Sequence, residues 1–413
     1  MDETAFPILL LDLARRENAL PPGEMANYWL MVRRAAAFLV QNGPVTQQDR
    51  WEEDPGYSPF TLGVEIAGLL AAAEMAETNL DLAAYLRETA DAWNDSIERW
   101  IYVSGTDLAK QVGVAGYYVR VTIPDVADAA SPKNGFVPIK NRPPSDSSMP
   151  AADVVSPNAL ALVRFGLHAA DDPRILDTVK VIDTLLKLET PLGPAWHRYN
   201  NDGYGEHEDG SPFDGTGIGR AWLLVGELAH YELAVGNYLE ADRLLRALEG
   251  FANEGGLLPE QIWDSADIPE RELFFGRPSG SAMPLGWAHA EYLKLLHSLR
   301  DRRVFDLPTQ TEERYLKEHM QSRLAIWRLN NKTRAIPAGK ILRVETTAPA
   351  ELTWSFDDWK TVQKTPLGST GVGVYKADLP SDGLTSGATV VFTFYWAAEE
   401  RWEGSNYEVK IEE

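Results

Sequence analysis

The chain has 413 residues, 44% hydrophobic and 24% charged, with 61 acidic and 39 basic side chains and a formal net charge of −22. That sign excludes the basic footprint a nucleic-acid binder needs and argues against an anionic membrane surface, whereas a neutral ligand such as a sugar is compatible. No cysteine is present, which removes disulfides, thiol catalysis and cysteine metal sites, and nothing in the sequence asks for a cofactor.

The first twenty residues, MDETAFPILLLDLARRENAL, are acidic from the second position and lack a basic n-region, so no signal peptide is expected. No apolar run reaches the ~18 residues of a spanning helix. Helical periodicity then predicts helices at 4–17, 24–41, 62–77, 80–101, 156–170, 173–189, 214–236, 238–250 and 281–299. Ser156-Pro157 and Asp172-Pro173 are cap-plus-proline starts, and Gly43-Pro44 and Gly236 are stops. Short turns alternate with long loops at 42–61, 102–155, 190–213 and 251–280, rich in Gly, Pro and aromatics. In a ring of helical hairpins, long connections on one rim build a site. After residue 330, segments such as KILRVETT, AELTWSF, ATVVFTFYW and YEVKIEE alternate in strand fashion between turn residues.

The first long loop holds DRWEEDPGYSPFT (49–61), which sets Trp51 beside Glu52 and Glu53 in a turn. Adjacent acids are ordinarily solvated charge; next to rings, in a turn, they suit a sugar site. The stretch resembles the general-acid motif of the glucoamylase family, glycoside hydrolase family 15, with Asp49 and Trp51 alongside. GGLLPEQIWD (255–264) resembles the family's general-base segment, and WHRYNNDGYGE (196–206) its substrate-clamping loop. GIGRAWLLVGELAHYELAVG and GSAMPLGWAHAEYLKLLHSLRD resemble the helices that follow. The loop wording is closer to bacterial members, glucodextranases included, than to fungal ones.

The resemblance implies Glu52 as general acid and Glu260 as general base, with Trp51, Glu53, Arg198, Asp202, Trp222 and Trp263 binding substrate. Inversion needs one protonated and one ionised carboxyl ~6.5–9.5 Å apart, so a water fits between them. Glu52 is then expected to hold its proton, helped by the neighbouring charge of Glu53 and by aromatic enclosure, and Glu260 to stay ionised. Each residue also has a plainer reading. Glu260 follows Pro259 and suits a helix start, Arg198 suits a structural ion pair, Asp202 an Asx-turn, and Trp222 and Trp263 a core. DGYGEHEDG (202–210) is acidic and Gly-rich but lacks the EF-hand pattern, so no metal is assigned.

The implied fold is mainly α, a partial (α/α)6 barrel of about nine of twelve helices, then a small C-terminal all-β sandwich. The implied domains are 1–305 (catalytic, incomplete at its N-terminal side), 306–338 (linker) and 339–413 (sandwich). MDETAFPILLLDLARR looks like a mid-domain helix of the family, so a preceding half, or self-association through the incomplete barrel, is expected. WSFDDWK and RWEGSNYEV resemble starch-binding modules, which implies a sugar platform of Trp359, Trp402 and Asn406; Trp354 and Trp396 suit a sandwich core. The implied activity is inverting, exo-acting release of β-D-glucose from non-reducing ends of α-1,4-glucans such as starch or maltooligosaccharides. The alternatives are α-1,6-glucan, more distantly α,α-trehalose, or a fragment that binds carbohydrate without cleaving it.

Overall fold

The computed structural model describes residues 1–21, 23–76, 78–128 and 131–413. Its helices are α1 (Asp2–Arg16), α2 (Met25–Asn42), α3 (Pro59–Met75), α4 (Leu80–Asn94), α5 (Ile97–Ile101), α6 (Asp107–Val112), α7 (Pro124–Asp128), α8 (Ala161–Arg164), α9 (Pro173–Leu186), α10 (Val225–Val235), α11 (Tyr238–Gly250) and α12 (Gly286–Asp301). Residue 77 of the expected helix 62–77, and residues 129 and 130 of the expected loop 102–155, lie outside the described residues.

Two kinds of helix make two layers. Helix α3 is apolar on every side and buried almost throughout, and Gly68 lets it approach Ala5 of α1. Helices α2, α9 and α11 carry one buried stripe and an exposed face, mainly polar on α9 and α11 but with Tyr28, Leu30 and Phe38 exposed on α2. The first kind lies inside and the second outside, the layering of a partial (α/α)6 barrel. Packing runs from α2 and α1 to α3, on to α4 and α8, and from α8 through α10 to α11 and α12.

Five expected helices are shorter than their periodicity; two lose only an end, 173–189 stopping at Leu186 and 281–299 starting at Gly286, and three change more. Residues 80–101 break between Asp95 and Ser96. The Ser156 hydroxyl does accept a cap bond from the Asn158 amide, but the turn it opens is 3-10, and α8 has only four residues before Gly166 takes a left-handed φ of 72°. In 214–236 only α10 is helical. Gly217 and Gly219 lie flat on the 202–205 backbone, where a Cβ on Gly217 would come within 2.0 Å of the Gly205 carbonyl oxygen. That contact needs extended chain.

A four-stranded antiparallel sheet was not legible at all. It joins Lys187–Thr190, Gly193–Trp196, Ala221–Trp222 and Gln261–Ile262 in that order. Strands of two to four residues carry no usable period. They matter because Arg198 follows the second strand, Trp222 is on the third, and Glu260 immediately precedes the fourth.

The β-rich C-terminal part has two sheets. One orders its strands Ala335–Pro337, Tyr407–Glu412, Thr389–Trp396, Glu351–Ser355, Gln363–Pro366, with Arg401–Trp402 beside Thr389–Trp396. The other orders Gly368–Ser369, Tyr375–Leu379, Ile341–Thr346, Leu324–Arg328. Trp327, Leu342, Phe392, Phe394, Trp354 and Trp396 fill the core between them. The sandwich therefore takes Leu324–Arg328 and Ala335–Pro337 from the span read as linker, each by parallel pairing to a later strand. It is fastened to the helices by charge. Arg328 donates to the carbonyls of Val40 and Gly43 and pairs with Glu345 at 2.5 Å, and Arg343 pairs with Glu88 at 2.7 Å.

Candidate active site

The acidic turn is folded by its own first residue. The Asp49 carboxylate accepts the backbone amides of Trp51 and Glu53, each at 3.2 Å, an Asx-type closure. Within it Glu52 adopts φ 60°, a left-handed conformation that is costly for a side chain other than glycine or asparagine. The consequence is a split. Glu52 is exposed and faces a cavity of about 760 Å³, while Glu53 turns inward.

Glu53 is held by four donors. Arg198 Nη2 (3.0 Å) and Asn141 Nδ2 (3.3 Å) reach Oε1, while the Tyr199 hydroxyl (2.5 Å) and Arg120 Nη2 (2.9 Å) reach Oε2. Burial pushes this carboxyl up, and Arg198 and Arg120 oppose it. Arg120 is fully buried, donates twice to Asp49, pairs with Asp54 at 2.9 Å, and lies 3.9 Å from the Tyr199 ring centre. One guanidinium thus bridges three acids of the turn.

Arg198 is the second hub. It donates to both oxygens of Asp202, at 2.6 and 2.7 Å, and sits 4.9–5.3 Å from the rings of Tyr204, Trp51 and Trp222. Asp202 also accepts the Tyr204 amide at 3.0 Å, so its carboxylate serves Arg198 and the turn. Trp222 is edge-on to Trp51 at 5.3 Å and stacked on Trp287 at 5.7 Å. These rings form an aromatic floor to the cavity.

Glu260 lines the same cavity from the opposite end of the sequence. Its amide donates to the Ala282 carbonyl at 2.9 Å, and the Ala282 amide donates back to Oε2 at 3.4 Å. Burial pushes the Glu260 carboxyl above its ordinary value and Glu206 adds to that, against the Ala282 amide and Arg198. The local environment therefore works against the ionised state expected from the sequence.

Glu52, Glu53, Trp51, Arg198, Trp222 and Glu260 all reach the cavity wall; Asp202 stands just behind Arg198. Trp263 does not reach it. Alternation along the strand puts Trp263 on the face opposite Glu260, where it is fully buried, stacked on Arg220 at 4.0 Å and donating to the Ala266 carbonyl. It is scaffold, and the expectation that it binds substrate is corrected. The residues expected to form a platform on the sandwich are placed along one of its sheets. Trp402 pairs with Tyr395, whereas Trp359 hangs its backbone on Ser355, which pairs with Val391 at the other end of the same strand. Roughly 13 Å of strand separates the two pairs. Asn406 is exposed in the turn between, after Ser405, whose carbonyl accepts from Thr393. Trp354 and Trp396 are core.

Sequence reasoning missed Arg120, Asn141, Tyr199, Tyr204 and Trp287. An arginine inside the apolar run GYYVRVT was a usable signal, since a buried charge must be paired; the others acquire meaning only through contacts across loops. Among the described residues no group of three or more His, Asp or Glu is placed to hold a metal ion, and no helix is long and apolar enough to cross a membrane.

With this geometry in hand, comparisons with known proteins can be read. The family model described as Glycosyl hydrolases family 15 matches residues 1–297. A glucoamylase from Clostridium sp. (strain G0005) is 39% identical over 321 residues, 76% of this chain and 41% of that protein. The crystal structure of a bacterial glucoamylase complexed with acarbose matches with a TM-score of 0.67 and 39% identity, over 76% of this chain and 43% of that one. A glycosidase variant in complex with glucose, 19% identical with a TM-score of 0.50 over 74% of this chain and 67% of that one, shares the fold. The chain thus spans less than half the length of the glucoamylases it resembles at 39% identity.

Proposed function

The chain belongs to glycosyl hydrolases family 15, and from that premise we propose that it carries the catalytic acid and base of an inverting, exo-acting α-glucoside hydrolase that releases β-D-glucose from the non-reducing ends of α-1,4-glucans. The observation that supports this most is the pairing of Glu52 and Glu260, which are 208 residues apart (260 − 52) and face one aromatic-floored cavity.

The roles follow from what each carboxyl is free to do. Glu53 accepts two protein donors on each oxygen, and Asp202 is held on both oxygens by Arg198 and on one by the Tyr204 amide, so both carboxyls are committed to the scaffold. Glu52 is exposed to the cavity and is the acid: it gives its proton to the glycosidic oxygen as the C1–O bond breaks. Glu260 is the base: it takes a proton from a water that attacks C1 from the opposite face, which inverts the anomeric centre. The paired protons then return through solvent. Trp51, Trp222 and Trp287 offer ring faces to the sugar, and Arg198, braced by Asp202 and Glu53, presents its cation at the wall.

The test is glucose release from maltotetraose and isomaltotetraose by the purified chain, beside Glu52→Gln and Glu260→Gln. Each variant is expected to lose about 10²–10⁴-fold in kcat while keeping the parent's thermal transition. Full activity in either variant removes that residue from the mechanism, and preference for isomaltotetraose replaces the α-1,4 assignment with α-1,6.

A further inference from the structure

Beside Glu260 the structure holds another carboxyl that the reaction above does not use. Glu206 is 7% exposed, and its Oε2 is sealed from solvent with no hydrogen-bond partner. A buried carboxyl oxygen in that state costs stability and calls for a reason.

Its placement is built rather than incidental. The Glu206 carbonyl accepts from Arg220 Nε at 3.2 Å and Nη2 at 2.9 Å. The same Arg220 donates to Asp264 Oδ1 at 2.5 Å and stacks on Trp263, so the 206 turn and the chain just after Glu260 are locked by one fully buried guanidinium. On the other side Glu206 meets Gly280. A Cβ there would lie 2.9 Å from Oε1, so glycine makes the room the carboxyl occupies. Residues 279–282 are also the segment that holds Glu260. Ala282 exchanges both of its backbone bonds with Glu260, and Ser281 Oγ accepts the Gln261 amide at 2.9 Å.

We propose that Glu206 is a positioning residue for Glu260, acting through the 279–282 segment that both carboxyls touch, Glu206 at Gly280 and Glu260 at Ala282. The proposal rests on the reading of Glu260 as base. The charged and titratable groups facing Glu260 are Arg198, Tyr204 and Glu206 from the 196–206 loop, with the Ala282 amide from the segment itself. Glu52, Glu53 and Lys140 lie elsewhere on the wall of the same cavity. Of these, Glu206 is the near like charge, and it works with burial against ionisation of Glu260.

The experiment compares the parent chain with Glu206→Gln, Glu206→Asp and Gly280→Ala. Two quantities are read: the acid limb of kcat/KM against pH, and the titration of the Glu260 side chain by carbon-13 NMR, assigned with Glu260→Gln. Removing the charge in Glu206→Gln is expected to move both midpoints to lower pH by about 0.5 units, roughly a threefold gain in rate on the acid side. Glu206→Asp, which keeps the charge, is expected to stay near the parent. Gly280→Ala displaces the carboxyl without changing any charge and is expected to move the Glu260 midpoint as well, which keeps the test intact should Glu206→Gln not fold. An unchanged Glu260 midpoint in a folded Glu206→Gln or Gly280→Ala protein overturns the proposal. The NMR titration needs no turnover, so absent glucose release would count against the hydrolase reading and leave this one decided separately.

Discussion

At the scale of single residues, the site is organised by two buried arginines more than by its acids. Arg120 compensates Asp49, Glu53 and Asp54, and Arg198 compensates Glu53 and Asp202. Removing Arg120 would take the paired cation from Asp49 and Asp54 in a dry turn and leave Glu53 to Arg198. Arg120→Leu is therefore expected to lower unfolding free energy by about 3–5 kcal/mol, read from urea midpoints, and to abolish activity through collapse of the Glu52 turn. A midpoint within experimental error of the parent would mean that water replaces the guanidinium. The same network explains what was legible. Glu52, Glu260 and Arg198 stand in loops whose wording is distinctive. Arg120 and Glu206 are single residues whose meaning is a contact 71 or 74 positions away (120 − 49 and 280 − 206), and no local pattern encodes that.

At the scale of elements, most long helices were legible because they repeat a burial pattern over three or more turns, α3 because it is one long apolar run, and the short sheet was not because two residues repeat nothing. The stretch 214–224 shows the cost of reading periodicity through glycines. Gly219 packs on Asp202, where a Cβ would come within 2.5 Å of its Cβ. Gly219→Ala is expected to push Asp202 off Arg198 and raise KM about tenfold with a smaller change in kcat; unchanged KM would show that the clamp tolerates the shift. Helix α3 carries a different tension. Glu65 is fully buried on it, and desolvation pushes its carboxyl up to about 8 from an ordinary 4.5. It is protonated in the fold and ionised in the unfolded chain between those values. The stability it contributes is full below about pH 4.5 and is lost as pH rises to about 8. Glu65→Gln cannot ionise, so it is expected to be more stable than the parent at pH 7 by on the order of 3 kcal/mol and equal to it at pH 4. Equal thermal midpoints at both pH values would contradict this.

At the scale of the whole molecule, the cavity wall joins the two flanks of the helical array. Asp2 and Phe6 come from α1, and Trp287, Ala290, Glu291 and Lys294 from α12. Leu10 on α1 and Leu293 on α12 are 68% and 63% exposed. The chain spans 41–43% of the glucoamylases it resembles. The site brings Glu52, Glu260, Arg198 and the rings of Trp51, Trp222 and Trp287 together on one cavity wall within this chain. The most direct measurement is the anomer of the glucose released from maltotetraose in the first seconds, read by proton NMR, with Glu260→Gln as control. The account predicts β-glucose that disappears in the variant. Early α-glucose, release that survives Glu260→Gln, or no release from a folded chain would contradict it.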